Sequence, residues 1–277
     1  MKFTTKKLLL INVFVVIVVI FILVSNKDFY LKGGNLHQSN LKTRLQKMEM
    51  QYETKLTKDF TKNDIKNLEI KANSEVVKIY SGNKFKVYIR HLIHKDQKPV
   101  LYLKNKTLSL KTFTKKADYL VFRPKIEITI PIKTKLNNLT ITNKNAKTDI
   151  DSLQIKTTKL RLYNGILICK KFTNKTLKII AQNEEIRFNK VNLKSLNLEN
   201  KKGDIDLYKL TITKLSTIKN IDGDITLTKA TAPGLDISTK MGKVQIYGKN
   251  QKKLRYKAEN RNLMLKVQTN IGDIEVK

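Results

Sequence analysis

The chain is poor in most of the residues that carry out chemistry or staple a small fold. Its 277 residues include one cysteine, no tryptophan, four prolines and three histidines. With Cys169 alone there can be no intramolecular disulfide, so an exported domain of this sequence must be held by packing. Lying between Ile168 and Lys170, that thiol is expected to be buried and inert. His91 and His94 have two residues between them, which on a strand turns them to opposite faces, and His37 is remote. No metal site or cofactor is expected. No nucleophile–base triad motif, phosphate loop, zinc motif or nucleic-acid-binding motif occurs. The lack of tryptophan weakens any dedicated sugar-stacking site. Acidic residues are scarce too, 23 against 56 basic ones, and the net charge is +33.

What is abundant is repetition. The phrase Gly203-Asp204-Ile205-Asp206-Leu207 returns as Gly223-Asp224-Ile225-Thr226-Leu227. It recurs as Gly242-Lys243-Val244-Gln245-Ile246 and again as Gly272-Asp273-Ile274-Glu275-Val276. A period near twenty implies stacked copies of one small unit. Each copy also has an earlier apolar-x-apolar piece, as in Leu196-Asn197-Leu198, Leu235-Asp236-Ile237 and Leu254-Arg255-Tyr256. Alternation of period two puts the apolar residues on one face. Pieces this short bury that face only by stacking on their neighbours. Weaker copies occur at Leu139-Thr140-Ile141, Leu160-Arg161-Leu162 and Leu177-Lys178-Ile179, and Asn262 stands where a further glycine is expected. The expected fold class is all-β, a β-solenoid of stacked repeats of about twenty residues. Some seven coils at about 4.8 Å give a rod on the order of 30–35 Å long. An antiparallel sandwich shares the alternation but not the period. Gly203, Gly223, Gly242 and Gly272, with Asp204, Asp224 and Asp273, are the expected turn residues.

The first 62 residues read differently. Residues 8–24 are apolar except for Asn12, and Lys2, Lys6 and Lys7 precede them. That pattern fits an N-terminal transmembrane helix with a cytoplasmic start and an extracellular body. A cleaved signal peptide is the alternative, and either one exports the domain. Leu41, Leu45, Met48, Tyr52 and Leu56 form a helical stripe, read as a short stalk. Alternating strands begin near Asn67, and Ser81-Gly82-Asn83 reads as a hairpin turn between Val77-Lys78-Ile79-Tyr80 and Phe85-Lys86-Val87-Tyr88-Ile89. The expected organisation is a membrane anchor over 1–34, a stalk or linker over 35–62, a β capping region over 63–134 and solenoid repeats over 135–277.

This order of features resembles the bacterial putative-adhesin family of β-strand-repeat proteins. The resemblance rests on Ile65-Lys66-Asn67-Leu68-Glu69-Ile70, then Val76-Val77-Lys78-Ile79, then a strand running into Pro131, then repeats ending in Gly-Asp-Ile-x-Leu. It covers residues 60–277 or so and implies an all-β solenoid in the cell envelope, with relatives tied to adhesion or envelope stress. The chain departs from the family pattern in its lysine excess and at Lys243 and Asn262.

Only seven of the 56 basic residues are arginine. Lysine is a mobile point charge without the arginine fork, so it favours diffuse, salt-sensitive contact with polyanions. The expected function is non-enzymatic: a membrane-anchored scaffold touching anionic cell-wall polymers or envelope proteins, with no specific nucleic acid. Lys201, Lys202, Lys240, Lys243, Lys249, Lys252 and Lys253, at or near turns, are the expected contacts. One alternative is an envelope-stress component acting through membrane partners. Another is a polysaccharide-active solenoid enzyme using Asp204, Asp206, Asp222 and Asp224, although turns account for Asp204 and Asp224. Asp222-Gly223-Asp224 also resembles calcium-binding repeats, but it lacks their glycine-rich nonapeptide spacing.

Overall fold

The computed structural model describes residues 58–60, 65–90, 99–113, 124–132, 134–251, 254–256 and 264–277. The expected membrane segment and stalk stripe, the three histidines, Lys252, Lys253 and Asn262 lie outside them. Among the described residues every regular element is a strand, and no helix is long and apolar enough to cross a membrane.

The chain runs through β1 (Lys58–Phe60), β2 (Asn67–Lys71), β3 (Val76–Gly82), β4 (Phe85–Arg90), β5 (Val100–Lys104), β6 (Thr107–Lys111) and β7 (Lys125–Pro131). Next come β8 (Lys135–Lys144), β9 (Thr148–Asp151), the long paired run β10 (Gln154–Lys202), β11 (Ile205–Ile212), β12 (Ser216–Asp222) and β13 (Ile225–Thr228). It closes with β14 (Gly234–Met241), β15 (Val244–Ile246), β16 (Lys249–Gln251), β17 (Leu254–Tyr256), β18 (Met264–Ile271) and β19 (Ile274–Val276).

The pairing is that of a solenoid. Ile141 pairs in parallel with Leu160, Ile186 with Ile205 and Ile205 with Ile225, steps of 19 or 20 residues. Inward residues along each strand are mostly apolar and almost fully buried: Ile150, Cys169, Phe188, Leu207 and Leu227 come from five successive coils. Alternation slips where the chain bends. Lys170 and Lys171 both face outward, as do Lys175 and Thr176, and a third slip surrounds Asn164 and Gly165. Each coil therefore has three corners and three walls. Residues such as 157–163 form a long wall, 166–170 a second wall, and 172–174 a narrow one.

Three expectations are corrected. The repeats do not stack in sequence order. β18 pairs with β12 on one side and β14 on the other, and β19 lies likewise between β13 and β15. The final Gly-Asp coil is thus inserted beneath the coil that precedes it in the chain. Leu254-Arg255-Tyr256 is no parallel copy, since β17 runs antiparallel along β14 and β16 antiparallel along β15. Nor do β3 and β4 form a hairpin. β7 lies between them, parallel to β3 and antiparallel to β4. Gly82 lets the chain pass close to β7, where a Cβ would stand 2.3 Å from Thr129 Cγ2.

The front part joins the same stack. β2 pairs in parallel with β8, and β3 with β9. Phe60 meets Phe85 edge to face at 5.7 Å across the antiparallel pair of β1 and β4, and β4 in turn borders β7.

Candidate functional site

One corner of the stack is a column of residues at register: Ala146, Gly165, Glu184, Gly203, Gly223, Gly272 and Gly242. A Cβ built on Gly203, Gly223, Gly272 or Gly242 would lie 2.0–2.5 Å from a carbonyl oxygen of the coil beneath it, that of Glu184, Gly203, Gly223 and Gly272 respectively. The aspartate after each glycine bonds across coils. Asp204 Oδ1 accepts the N–H of Asp224 at 3.0 Å, and Asp224 Oδ1 accepts that of Asp273 at 2.7 Å. Asp273 Oδ1 accepts the N–H of Lys243 at 2.7 Å, so lysine can end the ladder, where no carboxylate is required above it. The expected turn residues all sit in this column, and their hydrogen bonds tie coil to coil.

Three residues before the corner, an inward polar side chain fastens it. Asn200 Nδ2 donates to the carbonyls of Glu184, Lys202 and Gly203. Asn220 Nδ2 donates to those of Gly203 at 2.9 Å and Gly223 at 3.1 Å. Thr269 and Thr239 do the same for the last two coils through their hydroxyls. Replacing Asn220 by alanine removes the shorter bond to each carbonyl, leaving only the longer ones from Asn200 to Gly203 and from Thr269 to Gly223, which costs about 1–3 kcal/mol. A thermal-unfolding midpoint unchanged in Asn220→Ala would refute that role.

The middle coils lack this amide, having Leu162 and Ala181 instead. Glu184 compensates: its fully buried carboxyl reaches back and accepts the N–H of Gly165 at 2.9 Å. Burial pushes its pKa up to about 8, against the lowering effect of that hydrogen bond. Cys169 is free and buried, and its burial raises the thiol pKa far above the ordinary value.

Of the four candidate catalytic aspartates, Asp204 and Asp224 belong to the hydrogen-bonded turn ladder. Asp222 lies 3.8 Å from the Lys202 ammonium, and Asp206 points outward on the second wall. No group of three or more metal-ligating side chains is found among the described residues. The expected contact lysines do not form one patch. Lys201 and Lys202 share a coil, while Lys240, Lys243 and Lys249 belong to the outermost region, about three coil spacings or 14 Å away. All five are exposed.

A different set of lysines is aligned. At one edge of the narrow wall, Lys171, Lys190, Lys209 and Lys229 occupy the same corner in four successive coils, each at a positive φ between 45° and 58°. At the other edge stand Lys156, Lys175, Lys194 and Lys214, and the N–H of Lys214 bonds to the carbonyl of Lys194. All eight are exposed, and none pairs with an acid among the described residues. The signal was present as Lys171-x-x-x-Lys175, Lys190-x-x-x-Lys194 and Lys209-x-x-x-x-Lys214, repeating at the coil period.

A family model described as Toastrack DUF4097 matches residues 65–277, and the chain belongs to that family. Solved structures similar to it include a putative adhesin from Bacteroides fragilis, 16% identical, covering 81% of this chain and 98% of that one at a TM-score of 0.44. A putative cell adhesion protein from Clostridium sporogenes is 14% identical over 81% and 98%, with a TM-score of 0.32. A putative lipid binding protein from Parabacteroides distasonis is 15% identical over 80% and 96%, with a TM-score of 0.43. No curated protein matches the chain.

Proposed function

We propose that this member of the Toastrack family is a non-enzymatic scaffold of the cell envelope, anchored through residues 8–24 and contacting anionic surface polymers with its lysines. The observation that carries this reading is the division of labour between the charges. Carboxylates of Asp204, Asp224 and Asp273 are engaged with backbone N–H groups of neighbouring coils, while lysines project from the corners into solvent. The stack is rigid because each coil is hydrogen-bonded to the next and packed on a continuous aliphatic core. A rigid rod holds its cations at fixed spacing, so one polymer meets many of them at once, and that multivalency strengthens weak single contacts. Lys201, Lys202, Lys240, Lys243 and Lys249 contribute to this field from the glycine corner and the outermost coil.

Contacts of this kind release counterions, so affinity falls steeply with salt. Binding of the full chain to purified teichoic acid is expected to weaken at least tenfold between about 50 mM and 200 mM salt. Retention that does not change over that range refutes the reading.

A further inference from the structure

A groove lies along one of the two lysine columns. It has a volume of about 550 Å³ and runs across several coils of the narrow wall, with Lys156, Lys175 and Lys194 along one side. Its floor includes the outward side chains of Gln154, Thr173 and Asn192. Across the narrow wall from it, outside the groove's own lining, stands the corner column of Lys171, Lys190, Lys209 and Lys229. Lys171 and Lys175 are four positions apart and Lys209 and Lys214 five, so the columns stand no more than about 13–17 Å apart. Along the stack, the lysines of one column repeat about every 4.8 Å.

Composition alone does not explain this. Basic residues are 56 of 277, so the ten register positions of the two columns, counting Ser152 and Asn137 at their ends, would hold about two, and eight are lysine. The other walls mix signs within a column. Lys78, Asp149, Ile168, Arg187, Asp206, Thr226 and Glu275 follow one another on the second wall. None of the residues next to these eight lysines along the chain is acidic. Like charges stacked directly are destabilising by roughly 0.2–1 kcal/mol a pair. A fold that keeps two such columns along the edges of one narrow wall, paired with no acid among the described residues, is arranged for an anion that the protein does not itself supply.

We propose that the narrow wall binds one linear phosphodiester polymer of the teichoic-acid type, laid along the stack axis between the lysine columns. This rests on the scaffold reading above and assigns it a face, an orientation and a chemical class. A wall of this width admits a single extended chain and is too narrow for a duplex. No aromatic side chain faces outward between the columns, since Phe172 is fully buried, and the ring of Tyr208 on the second wall is covered by the Lys209 ammonium at 5.2 Å, which disfavours base stacking there. Lysines on flexible four-carbon stems can meet phosphates from both sides without matching the polymer's repeat exactly to the coil spacing. Thr173, Asn192 and Thr211 offer hydroxyl and amide donors to phosphate oxygens between the columns.

The test uses the full chain in neutral detergent, titrated with fluorescently labelled glycerol-phosphate polymer. Changing Lys171, Lys175, Lys190 and Lys194 together to glutamine is expected to weaken binding at least tenfold. Changing Lys159, Lys178, Lys219 and Lys266 on the long wall, which removes the same charge, is expected to weaken it no more than about threefold. Arginine at the four narrow-wall positions should restore affinity, which separates lost charge from lost folding. Equal losses in the two glutamine sets would overturn the inference while leaving the scaffold reading intact. No salt-sensitive binding by the unaltered chain would overturn both. Competition by an oligothymidylate or by phosphatidylglycerol vesicles that exceeds unlabelled polymer at equal phosphate would also overturn it.

Discussion

A Gly223→Ala variant is expected to lose about 3 kcal/mol or more of folding stability. Two effects add. Gly223 has φ +129°, a region that L side chains rarely enter. A Cβ there would also stand 2.5 Å from the carbonyl oxygen and 2.8 Å from the carbonyl carbon of Gly203. Both atoms are backbone of the adjacent coil, so relief requires coils to separate, and that breaks the inter-coil bonds on either side. Gly248 is the control. It has φ +77°, and a Cβ there would meet nothing within 4 Å, so Gly248→Ala should carry only the conformational penalty of about 1–2 kcal/mol. Urea unfolding of the two variants measures the difference as a shift in midpoint at constant slope. Equal losses would show that close approach of the coils contributes nothing.

The second large effect is a pH dependence centred on Glu184. Its folded pKa is raised to about 8 from the ordinary 4.5 because the carboxyl is buried. Between those values the folded protein holds a proton that the unfolded chain has released. Stability from this group is therefore complete below about pH 4.5, declines by roughly 1 kcal/mol per pH unit above it, and is lost by about pH 8. Glutamine keeps the shape and an oxygen for the Gly165 N–H but cannot ionise. Glu184→Gln should flatten the profile and stabilise the protein above pH 8 relative to glutamate. Unfolding free energies measured from pH 5 to 9 decide the matter. Parallel profiles for the two proteins would remove Glu184 as the cause.

Much of the architecture was legible because a solenoid writes its geometry as a period. Gly203, Gly223, Gly242 and Gly272 share one corner, and the aliphatic alternation predicts the core. Periodicity reports which residues occupy equivalent positions, but not which coil touches which. The step from Gly242 to Gly272 is 30 residues, and it hid both the inserted final coil and the antiparallel β16–β17 excursion. The hairpin reading at Ser81-Gly82-Asn83 failed because a turn signal does not specify the partner, and β7 paired more extensively with both strands. Glu184 was invisible as a corner residue because a buried carboxyl replaced a glycine and an amide together. The aligned lysines went unnoticed for a different reason. In a chain with 56 basic residues, single lysines near turns attract attention before their registration does.

The inserted coil also governs the order of assembly. Residues 234–246 lie outside β18 and β19, and their parallel partners are residues 264–271 and 274–276. No stretch of the chain that stops before residue 264 contains those partners. As the polypeptide leaves the ribosome, the sheet can grow coil by coil through residue 228 and must then wait. The outer segment emerges first, yet it can dock only after the later one has slipped in beneath it.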